Sequence, residues 1–341
     1  MSAFNVLGVW ANLLIAMKSN PGSEAVKPEI VLNANLNEPS VALLEEHYTC
    51  HKLYDADDPV GFLAGVKDNV RALVTSGFRG FDRALVEALP NLEMISIWGA
   101  GLQAADLDVV KEKGIILSNT PDDSRIAVAD LAMALLISVA RQCAEGDKFV
   151  KSGRWATEAF DEQGIGLYKK TCGIIALGTI GRAVAQRAAA FDMNIAYFGP
   201  NKKADVDYRY YDDLLAMATD SDFLMVCCPE MPETIGLVTG EVIRALGPDG
   251  IVVNVGRGIC MDEAALIEAL QDKAIAGAGL DVYQTEPDIP NALRKCENAV
   301  LVPHVGTATR DIRNIRRDMC LKNLQAFFAG EPVLAPVYVP E

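Results

Sequence analysis

The segment Cys172–Arg182 joins an apolar run to a helix start through small residues, in the order Cys-Gly-Ile-Ile-Ala-Leu-Gly-Thr-Ile-Gly-Arg. Gly178 lets the backbone approach a pyrophosphate, and Gly181 lets the helix pack closely on the strand. The phosphate charge then meets the helix amino terminus. Ala176 replaces the first glycine of the usual G-x-G-x-x-G pattern. An ordinary glycine-rich turn is the alternative, but the position between a strand and an Ala-rich helix favours dinucleotide binding.

Short apolar runs alternate with amphipathic segments on both sides of this unit, which is typical of βαβ units around a parallel sheet. The strands predicted before it are Ile30–Leu32, Arg71–Thr75, Met94–Trp98 and Ile115–Leu117, with helices at Ser40–His47, Phe81–Ala88 and Ala104–Lys111. The strands predicted from it onward are Gly173–Leu177, Asn194–Phe198, Phe223–Cys227, Ile251–Val255, Gly277–Leu280 and Ala299–Val302, with helices at Ile180–Phe191 and Glu263–Gln271. We therefore expect an α/β protein with two doubly wound parallel-sheet domains.

The chain of 341 residues is long enough for two domains, each with its own core. A predicted amphipathic helix, Arg310–Phe328, should return to the first domain with a stripe of apolar side chains, Ile312, Ile315, Met319 and Leu324. This return predicts a discontinuous substrate-binding domain, residues 1–119 and 309–341, around a dinucleotide-binding domain, residues 120–308.

A long helix is predicted from Ser124 to about Cys143, and it is apolar on nearly every side. A helix of that kind is buried, so we expect it to pack between domains or subunits. The apolar stretch Phe4–Met17 is too short to span a bilayer and lacks the pattern of a signal peptide. We expect it to form a strand and an extension, with no membrane partner.

The net charge of −15 argues against nucleic acid as a partner, because phosphate binding requires a basic face. It leaves an anionic substrate open, since one local arginine can hold a carboxylate. The eight cysteines form no C-x-x-C pair and lie mostly in apolar runs. This pattern indicates buried, reduced thiols in a cytoplasmic protein, and neither disulfides nor a metal site is expected.

Three side chains of complementary chemistry follow three successive predicted strands. Arg257 follows Ile251–Val255, Glu286 follows Gly277–Leu280, and His304 follows Ala299–Val302. The carboxyl ends of parallel strands form the ligand-binding edge of an open α/β sheet. An isolated surface arginine, solvated glutamate or structural histidine is the common case, but the coincidence of all three indicates an active site.

These groups suit the reduction of a 2-oxo acid beside a nicotinamide. A guanidinium such as that of Arg257 grips a carboxylate with two hydrogen bonds and stabilises a developing alkoxide. The carboxylate of Glu286 beside the imidazole of His304 favours the protonated imidazolium. His304 is then the general acid that donates a proton to the ketone oxygen, while the nicotinamide supplies hydride.

The residues after the second strand of the dinucleotide unit predict the coenzyme. Gly199 stands where an NAD site usually has an acidic residue for the ribose hydroxyls, and Lys202 and Lys203 follow it. This arrangement favours NADPH and leaves NADH possible, although both lysines are alternatively solvated loop charges.

A second glycine-containing loop follows a predicted strand of the first domain. Its sequence is Trp98-Gly99-Ala100-Gly101, and its backbone N–H groups suit a substrate carboxylate. Residues 75–79 would form the opposite wall. Trp98 is alternatively a core residue.

From about Arg71 to Val337 the sequence resembles the D-2-hydroxyacid dehydrogenase family, most densely at Gly173–Gly181, Val253–Gly258, Ala278–Pro287 and Val302–Thr309. The resemblance implies a flavodoxin-like substrate domain, a Rossmann coenzyme domain, a cleft between them and a homodimer formed through the coenzyme domains. It implies the catalytic roles given above to Arg257, Glu286 and His304, and a contact of Asp281 with the nicotinamide amide.

Within the family, the chain is similar to glyoxylate, hydroxypyruvate and hydroxyphenylpyruvate reductases, through Asn119–Asp122, Val128–Ala132, Gly153–Trp155 and Tyr197–Tyr211. It departs from family patterns at Ala176, at Pro200, where NADP-using relatives often have Arg, and at Arg125, where Thr is common. The expected cofactor contacts are Leu177, Gly178, Thr179, Ile180, Gly199, Asn201, Lys202, Lys203, Cys228, Pro229, Val255, Arg257, Asp281 and His304. The expected substrate contacts are Gly77, Trp98, Ala100, Gly101, Arg257 and His304.

The leading hypothesis is an NAD(P)H-dependent reductase that converts a small 2-oxo acid, such as glyoxylate or hydroxypyruvate, to the D-2-hydroxy acid. A reductase of 2-ketogluconate or of an aromatic 2-oxo acid is the close alternative. A cofactor-sensing binding protein, similar to the corepressors that share this scaffold, is the alternative from a different class.

Overall fold

A computed structural model describes residues 26–102, 104–121, 124–161 and 163–340 of the chain. The predicted strand and extension at Phe4–Met17 lie outside the described residues. The chain divides into two compact units, Met1–Pro121 with Arg316–Glu341, and Asp122–Ile315. The second division falls inside the helix Arg310–Phe328, seven residues beyond the predicted domain limit of 308.

The strands are β1 (Glu29–Leu32), β2 (Thr49–Lys52), β3 (Val70–Ser76), β4 (Met94–Trp98), β5 (Ile116–Asn119), β6 (Thr171–Ile175), β7 (Asn194–Phe198), β8 (Arg209–Tyr211), β9 (Phe223–Val226), β10 (Ile251–Asn254), β11 (Gly277–Leu280), β12 (Ala299–Leu301) and β13 (Pro336–Tyr338). The α-helices are α1 (Glu38–His47), α2 (Pro59–Val66), α3 (Arg83–Glu87), α4 (Leu107–Lys113), α5 (Ser124–Ala140), α6 (Cys143–Lys151), α7 (Thr179–Ala190), α8 (Leu214–Thr219), α9 (Gly240–Ala245), α10 (Glu263–Gln271), α11 (Asn291–Arg294) and α12 (Arg310–Phe328).

The first unit is built on a six-stranded sheet in the order β13-β5-β4-β3-β1-β2. Its strands pair in parallel except β13, which runs antiparallel to β5. Apolar side chains cover both faces of the sheet, and Cys320 and Leu324 of α12 complete one of the two clusters. Parallel sheets have both faces buried, which explains why the central strands read as continuous apolar runs.

The sequence pattern missed one strand of the first unit and misplaced one residue of α12. The polar residues Thr49–Lys52 form the edge strand β2, which includes His51. An edge strand has one solvated side, which leaves no apolar run for a pattern to detect. On α12, Ile312 and Leu324 are buried as predicted, but Ile315 is 43% exposed and lies off the buried stripe.

The second unit is built on a seven-stranded sheet in the order β12-β11-β10-β9-β6-β7-β8. All of its strand pairs are parallel. The strand order reverses between β6 and β9, and ligands of open α/β sheets bind outside the carboxyl ends at such a switch point. The predicted class, α/β with two parallel-sheet domains, is confirmed, with β13 the one antiparallel addition in the described residues.

The apolar helix α5 packs on the sheet of its own unit. Ala132 and Leu136 join Ile174, Met225 and Val253 in one buried cluster, which accounts for an apolar face without invoking a subunit boundary. The helix ends at Ala140, earlier than predicted, because Gln142 adopts a left-handed conformation (φ 51°) before α6 begins.

No single helix in the described part of the chain is long and apolar enough to cross a bilayer. The helices α5 and α6, bent by 63° at their junction, satisfy that test as a pair, on length and composition alone.

Candidate active site and coenzyme site

The turn between β6 and α7 has the geometry of a phosphate cradle. A Cβ at Gly181 would lie 2.2 Å from the carbonyl oxygen of Ala176, so only glycine allows the helix this close to the strand. A Cβ at Gly178 would meet no atom within 4 Å. Gly178 is also the N-cap of α7, and no side chain caps the helix there. The amino terminus of α7 therefore has no side-chain cap and has open space beside Gly178, where a phosphate group fits.

Ala176 occupies the fingerprint position in a left-handed conformation, with φ 70°. That region favours glycine because it places Cβ close to the following carbonyl oxygen. The backbone at residue 176 thus has the conformation that glycine has in the usual pattern, although the residue is alanine. The substitution is visible in the sequence, whereas the left-handed conformation of Ala176 is visible only in the structure.

The loop after β7 is held by two tyrosines. The hydroxyl of Tyr197 accepts a hydrogen bond from the Lys203 N–H (2.7 Å), and the hydroxyl of Tyr210 donates one to the Gly199 carbonyl (3.1 Å). A Cβ at Gly199 would meet nothing within 4 Å, and Lys202 is exposed. The loop is therefore fixed in shape, open at Gly199 and positively charged beside it, which suits a ribose phosphate.

The predicted catalytic residues follow three neighbouring strands of one sheet. Arg257 follows β10, Glu286 follows β11 and His304 follows β12, and these strands pair in parallel in the order β12-β11-β10. All three residues therefore leave the sheet at the same edge. The common edge places residues that are far apart in the sequence at the same end of the sheet.

Glu286 and His304 form a direct pair. Oε2 of Glu286 lies 2.7 Å from Nδ1 of His304, and Oε1 accepts the N–H of Tyr283 at 2.9 Å. Each of the two side chains is 28% exposed. The carboxylate is oriented through its second oxygen, so it can in turn orient the imidazole through Nδ1.

The backbone at His304 is held by Asp281. The His304 N–H donates to the Asp281 carbonyl (3.0 Å), and the Asp281 carboxylate accepts the N–H groups of Val305 (2.6 Å) and Gly306 (2.9 Å). Asp281 is 2% exposed, and burial raises the pKa of its carboxyl while these N–H groups oppose the shift. Its carboxylate is thus an organiser of the histidine loop, a role the sequence alone did not indicate.

Arg257 lies on a segment that packs against the loop of Glu286. A Cβ at Gly258 would lie 1.9 Å from the backbone of Tyr283, so glycine is required for that contact. Buried Asn254 accepts the Gly256 N–H (3.0 Å) and donates to the Arg257 carbonyl (3.1 Å), which fixes the turn. Nη1 of Arg257 donates to the Gly256 carbonyl at 2.7 Å. Sequence reasoning named Arg257 but missed Asn254, because a positioning role leaves no signal in a single sequence.

The predicted substrate residues of the first unit also lie together. A Cβ at Gly77 would be 2.7 Å from the Gly101 carbonyl oxygen, so the two loops are in contact. The Gly99 N–H donates to the hydroxyl of Thr120 (2.7 Å), which fixes the second loop. Ala100 is exposed at its tip. Trp98 is half-buried and packs against the hydrophobic core, in agreement with the alternative that it is a core residue.

Three of the expected cofactor residues have buried side chains: Leu177, Cys228 and Val255 are 3%, 1% and 4% exposed. Such residues are able to meet a ligand through their backbone only. Pro229 and Asn201 are exposed. Among the described residues, no group of three or more His, Cys, Asp or Glu side chains is arranged to hold a metal ion.

Comparison with known proteins agrees with this geometry. Residues 133–306 match the family "D-isomer specific 2-hydroxyacid dehydrogenase, NAD binding domain". A hydroxyphenylpyruvate reductase of Plectranthus scutellarioides is 44% identical over 81% of this chain and 88% of its own, and a glyoxylate/hydroxypyruvate reductase of Arabidopsis thaliana is 40% identical over 86% and 94%. The chain therefore belongs to the D-isomer specific 2-hydroxyacid dehydrogenase family.

A solved structure is similar over the same extent. The NADPH-dependent glyoxylate/hydroxypyruvate reductase of Sinorhizobium meliloti is 34% identical, covers 91% of this chain and 98% of its own, and superposes with a TM-score of 0.79. The second unit thus contains a nicotinamide-dinucleotide-binding domain, and the chain is an oxidoreductase of this family.

Proposed function

We propose that this protein reduces a small 2-oxo acid, such as glyoxylate or hydroxypyruvate, to the D-2-hydroxy acid with NADPH as the preferred coenzyme. The observation that carries the proposal is the contact between Glu286 and His304 at 2.7 Å, on the same sheet edge as Arg257. The names of the family relatives support the substrate class.

The proposed catalytic residues have different roles, which follow from their charges. Arg257 holds the substrate carboxylate and keeps positive charge beside the carbonyl oxygen as negative charge develops there. His304, held by Glu286 through Nδ1, donates a proton from Nε2 to that oxygen. General acid catalysis of this kind contributes about 10²–10⁴-fold. The bound nicotinamide supplies the hydride to the carbonyl carbon.

The coenzyme would be held by the cradle Gly178–Ile180, the loop Gly199–Lys203 and the backbone at Cys228–Pro229 and Val255. Gly178 and Gly199 leave room for the pyrophosphate and for a 2′-phosphate, and Lys202 and Lys203 supply positive charge. In the first unit, the N–H groups of Ala100 and Gly101, with Gly77 beside Gly101, are the proposed substrate contacts.

The preference for NADPH has a direct test. The substitution Gly199→Asp places a carboxylate where the ribose hydroxyls of NADH would be recognised and a 2′-phosphate repelled. We expect the ratio of kcat/KM for NADPH to that for NADH to fall by about tenfold or more, which corresponds to about 1.4 kcal/mol. An unchanged ratio would mean that another loop reads the phosphate.

A substrate panel tests the reaction itself. Loss of nicotinamide absorbance is followed with glyoxylate, hydroxypyruvate, phenylpyruvate and 2-ketogluconate, each with NADH and NADPH. Turnover of glyoxylate or hydroxypyruvate at the highest kcat/KM supports the proposal. Preference for phenylpyruvate or 2-ketogluconate selects the aromatic or sugar-acid alternative. Absence of coenzyme oxidation across the panel selects a cofactor-sensing binding protein.

The proposal includes a homodimer formed through the second units. Apolar side chains are exposed along residues 150–168 of that unit: Val150 is 53% exposed, Trp155 68% and Tyr168 64%. Exposed apolar surface of this kind is typical of interaction sites. Light scattering after size exclusion gives the test, since a monomer mass at micromolar concentration contradicts the dimer.

A further inference from the structure

Tyr283 is a buried tyrosine, 8% exposed, in the loop between β11 and Glu286. Its hydroxyl lies 2.9 Å from the carbonyl oxygen of Val302 and 3.2 Å from that of Leu280. Burial raises the pKa of Tyr283 to about 12, so the hydroxyl keeps its proton at neutral pH and is a hydrogen-bond donor. The shorter of the two contacts ties the loop of Tyr283 to the residue that follows β12.

The Val302 carbonyl is part of the segment that holds His304. It accepts the Tyr283 hydroxyl and also lies 3.1 Å from the N–H of His304. His304 has a left-handed backbone conformation, with φ 51°. A residue in that conformation persists only where its neighbours fix the backbone. The Tyr283 hydroxyl therefore contacts the short stretch of backbone that determines where the imidazole lies.

The backbone of Tyr283 meets the segments of the other two proposed catalytic residues. Its N–H donates to Oε1 of Glu286 at 2.9 Å, the carboxylate oxygen that is not bonded to His304. Its carbonyl group packs against Gly258, the residue after Arg257, so closely that a Cβ there would be 1.9 Å away. One residue therefore contacts the segments of Arg257, Glu286 and His304.

The loop that carries Tyr283 is itself anchored by the next residue. The N–H of Gln284 donates to Oε2 of the buried Glu263 at 3.1 Å. The side-chain amide of Gln284 donates to the Met261 carbonyl at 2.7 Å. These bonds fix the backbone beside Tyr283, so its hydroxyl is presented to Val302 from a firm support.

Tyr211 provides an internal reference in the same unit. It is 9% exposed, and its hydroxyl donates to Oδ2 of Asp220 at 2.7 Å. It lies on β8, at the opposite end of the sheet from β12. The unit thus has one buried, hydrogen-bonded tyrosine hydroxyl beside the proposed acid and another far from it, which separates the effect of position from that of burial.

We propose that Tyr283 is a positioning residue for the proton transfer, whose hydroxyl holds the backbone at Val302 and thereby places His304 against the substrate carbonyl. This role rests on the proposed function, in which His304 is the general acid. Loss of the hydroxyl alone leaves the backbone contacts of Tyr283 with Glu286 and Gly258 in place. We expect the rate of reduction to fall by about tenfold, because small displacements of a reacting group have effects of that size.

The experiment compares the wild type, Tyr283→Phe and the matched control Tyr211→Phe in the full chain. Each substitution removes one neutral hydrogen bond, which is a small part of the stability of a domain, so both variants should fold. In Tyr283→Phe we expect the single-turnover rate of NADPH oxidation, with the best 2-oxo acid at saturation, to fall by about tenfold. The KM for the acid and the Kd for NADPH should stay constant, and Tyr211→Phe should keep all of these values. An unchanged rate in Tyr283→Phe would overturn the proposal.

A second comparison shows whether Tyr283 acts through His304. In the His304→Ala background, the further substitution Tyr283→Phe should leave the residual rate unchanged, because the group that the hydroxyl positions is already absent. The same loss of rate in both backgrounds would show that Tyr283 acts by another route, and would contradict the positioning role.

The ring signals of the histidines give a readout that needs no turnover. The chain has three histidines, so selective isotope labelling gives a simple NMR spectrum in which His304→Ala identifies the signal of His304. We expect that signal to shift in Tyr283→Phe and to stay in place in Tyr211→Phe. A His304 signal that is unchanged in Tyr283→Phe would overturn the positioning role. A shifted signal in a protein that reduces no 2-oxo acid would support the hold of Tyr283 on His304 and contradict the proposed function.

Discussion

Among the described residues, each unit contains a histidine–glutamate pair, and the two pairs have the same nitrogen–oxygen distance and similar burial. In the first unit, Nε2 of His51 lies 2.7 Å from Oε2 of Glu29, with side chains 20% and 23% exposed. In the second, Nδ1 of His304 lies 2.7 Å from Oε2 of Glu286, with side chains 28% exposed. Distance and burial therefore do not distinguish a structural pair from a candidate catalytic one.

The difference between the pairs is their place on the sheet. Glu29 begins β1 and His51 lies within the neighbouring edge strand β2, so the first pair braces two adjacent strands. Glu286 and His304 follow β11 and β12, beyond the carboxyl ends where such sheets bind ligands. Location on the fold is therefore the reason why we propose a catalytic role for the second pair and not for the first.

The backbones at the two ligand edges also differ. The first unit has glycine in its left-handed turns, at Gly80 (φ 58°) and Gly99 (φ 103°). The second unit has Ala176 (φ 70°) and His304 (φ 51°) in that region. Strained residues persist where the surrounding structure fixes them, and they cluster at functional sites. The ligand edge of the second unit thus includes two residues in this region, although Gln142, Lys169, Asp192 and Lys273 also adopt it elsewhere in the unit.

The substitution with the largest expected effect tests whether His304 and His51 have different roles. We expect His304→Ala to lower kcat/KM for the best 2-oxo acid by about 10²–10⁴-fold, because the general acid is lost. Binding of the coenzyme, measured by fluorescence titration, should change little. His51→Ala is the matched control, since it removes the same ring from a pair of the same geometry and should leave turnover near the wild-type value. Similar losses in both variants would show that His304 has no role as the acid.

Much of this site was accessible from the sequence, for a physical reason. Parallel strands are apolar throughout, so their ends are sharp, and a polar residue after each end falls on the ligand edge. Arg257, Glu286 and His304 stood out in that way. Asn254 acts by hydrogen bonds to backbone groups of its own turn, and Asp281 by hydrogen bonds to the backbone of the His304 loop. The sequence pattern does not indicate either set of partners.

The secondary structure could be predicted from the sequence to a similar extent. Long apolar strands such as Met94–Trp98 were placed at their observed limits, whereas short or polar elements such as β2 and β8 were missed. The hydrophobic pattern of the sequence identifies a strand clearly where both faces of that strand are buried. It is weak at sheet edges, where pairing with one neighbour stabilises residues of low intrinsic preference.

A smaller effect separates the roles of the glycines in the two units. A methyl group at Gly178 meets no protein atom, so Gly178→Ala should fold normally and raise the Kd for coenzyme by about tenfold, through contact with the phosphate. At Gly77 the methyl group meets the Gly101 carbonyl, so Gly77→Ala should shift the substrate loop, with an overpacking cost of about 1–3 kcal/mol.

Coenzyme titration gives the Kd for coenzyme, and steady-state kinetics give the KM for the 2-oxo acid, so the two measurements distinguish the variants. We expect the KM for the 2-oxo acid to rise in Gly77→Ala while the Kd for coenzyme stays constant, and the reverse order of effects in Gly178→Ala. Equal changes of both constants in both variants would contradict the assignment of substrate to one unit's loops and of coenzyme to the other's cradle.

The smallest expected effect concerns the strain at Ala176. A left-handed alanine costs about 1–2 kcal/mol, and glycine at this position would remove that cost while adding about 0.5–1 kcal/mol of backbone entropy. Ala176→Gly should therefore raise the free energy of unfolding by up to about 1 kcal/mol. Ala189→Gly, at an exposed position of α7, is the matched control and should lower it by up to about 1 kcal/mol. Urea denaturation measures the free energy of unfolding of both variants. A lower free energy of unfolding for Ala176→Gly would show that residue 176 is not strained. His304 would then be the one strained residue of the proposed site.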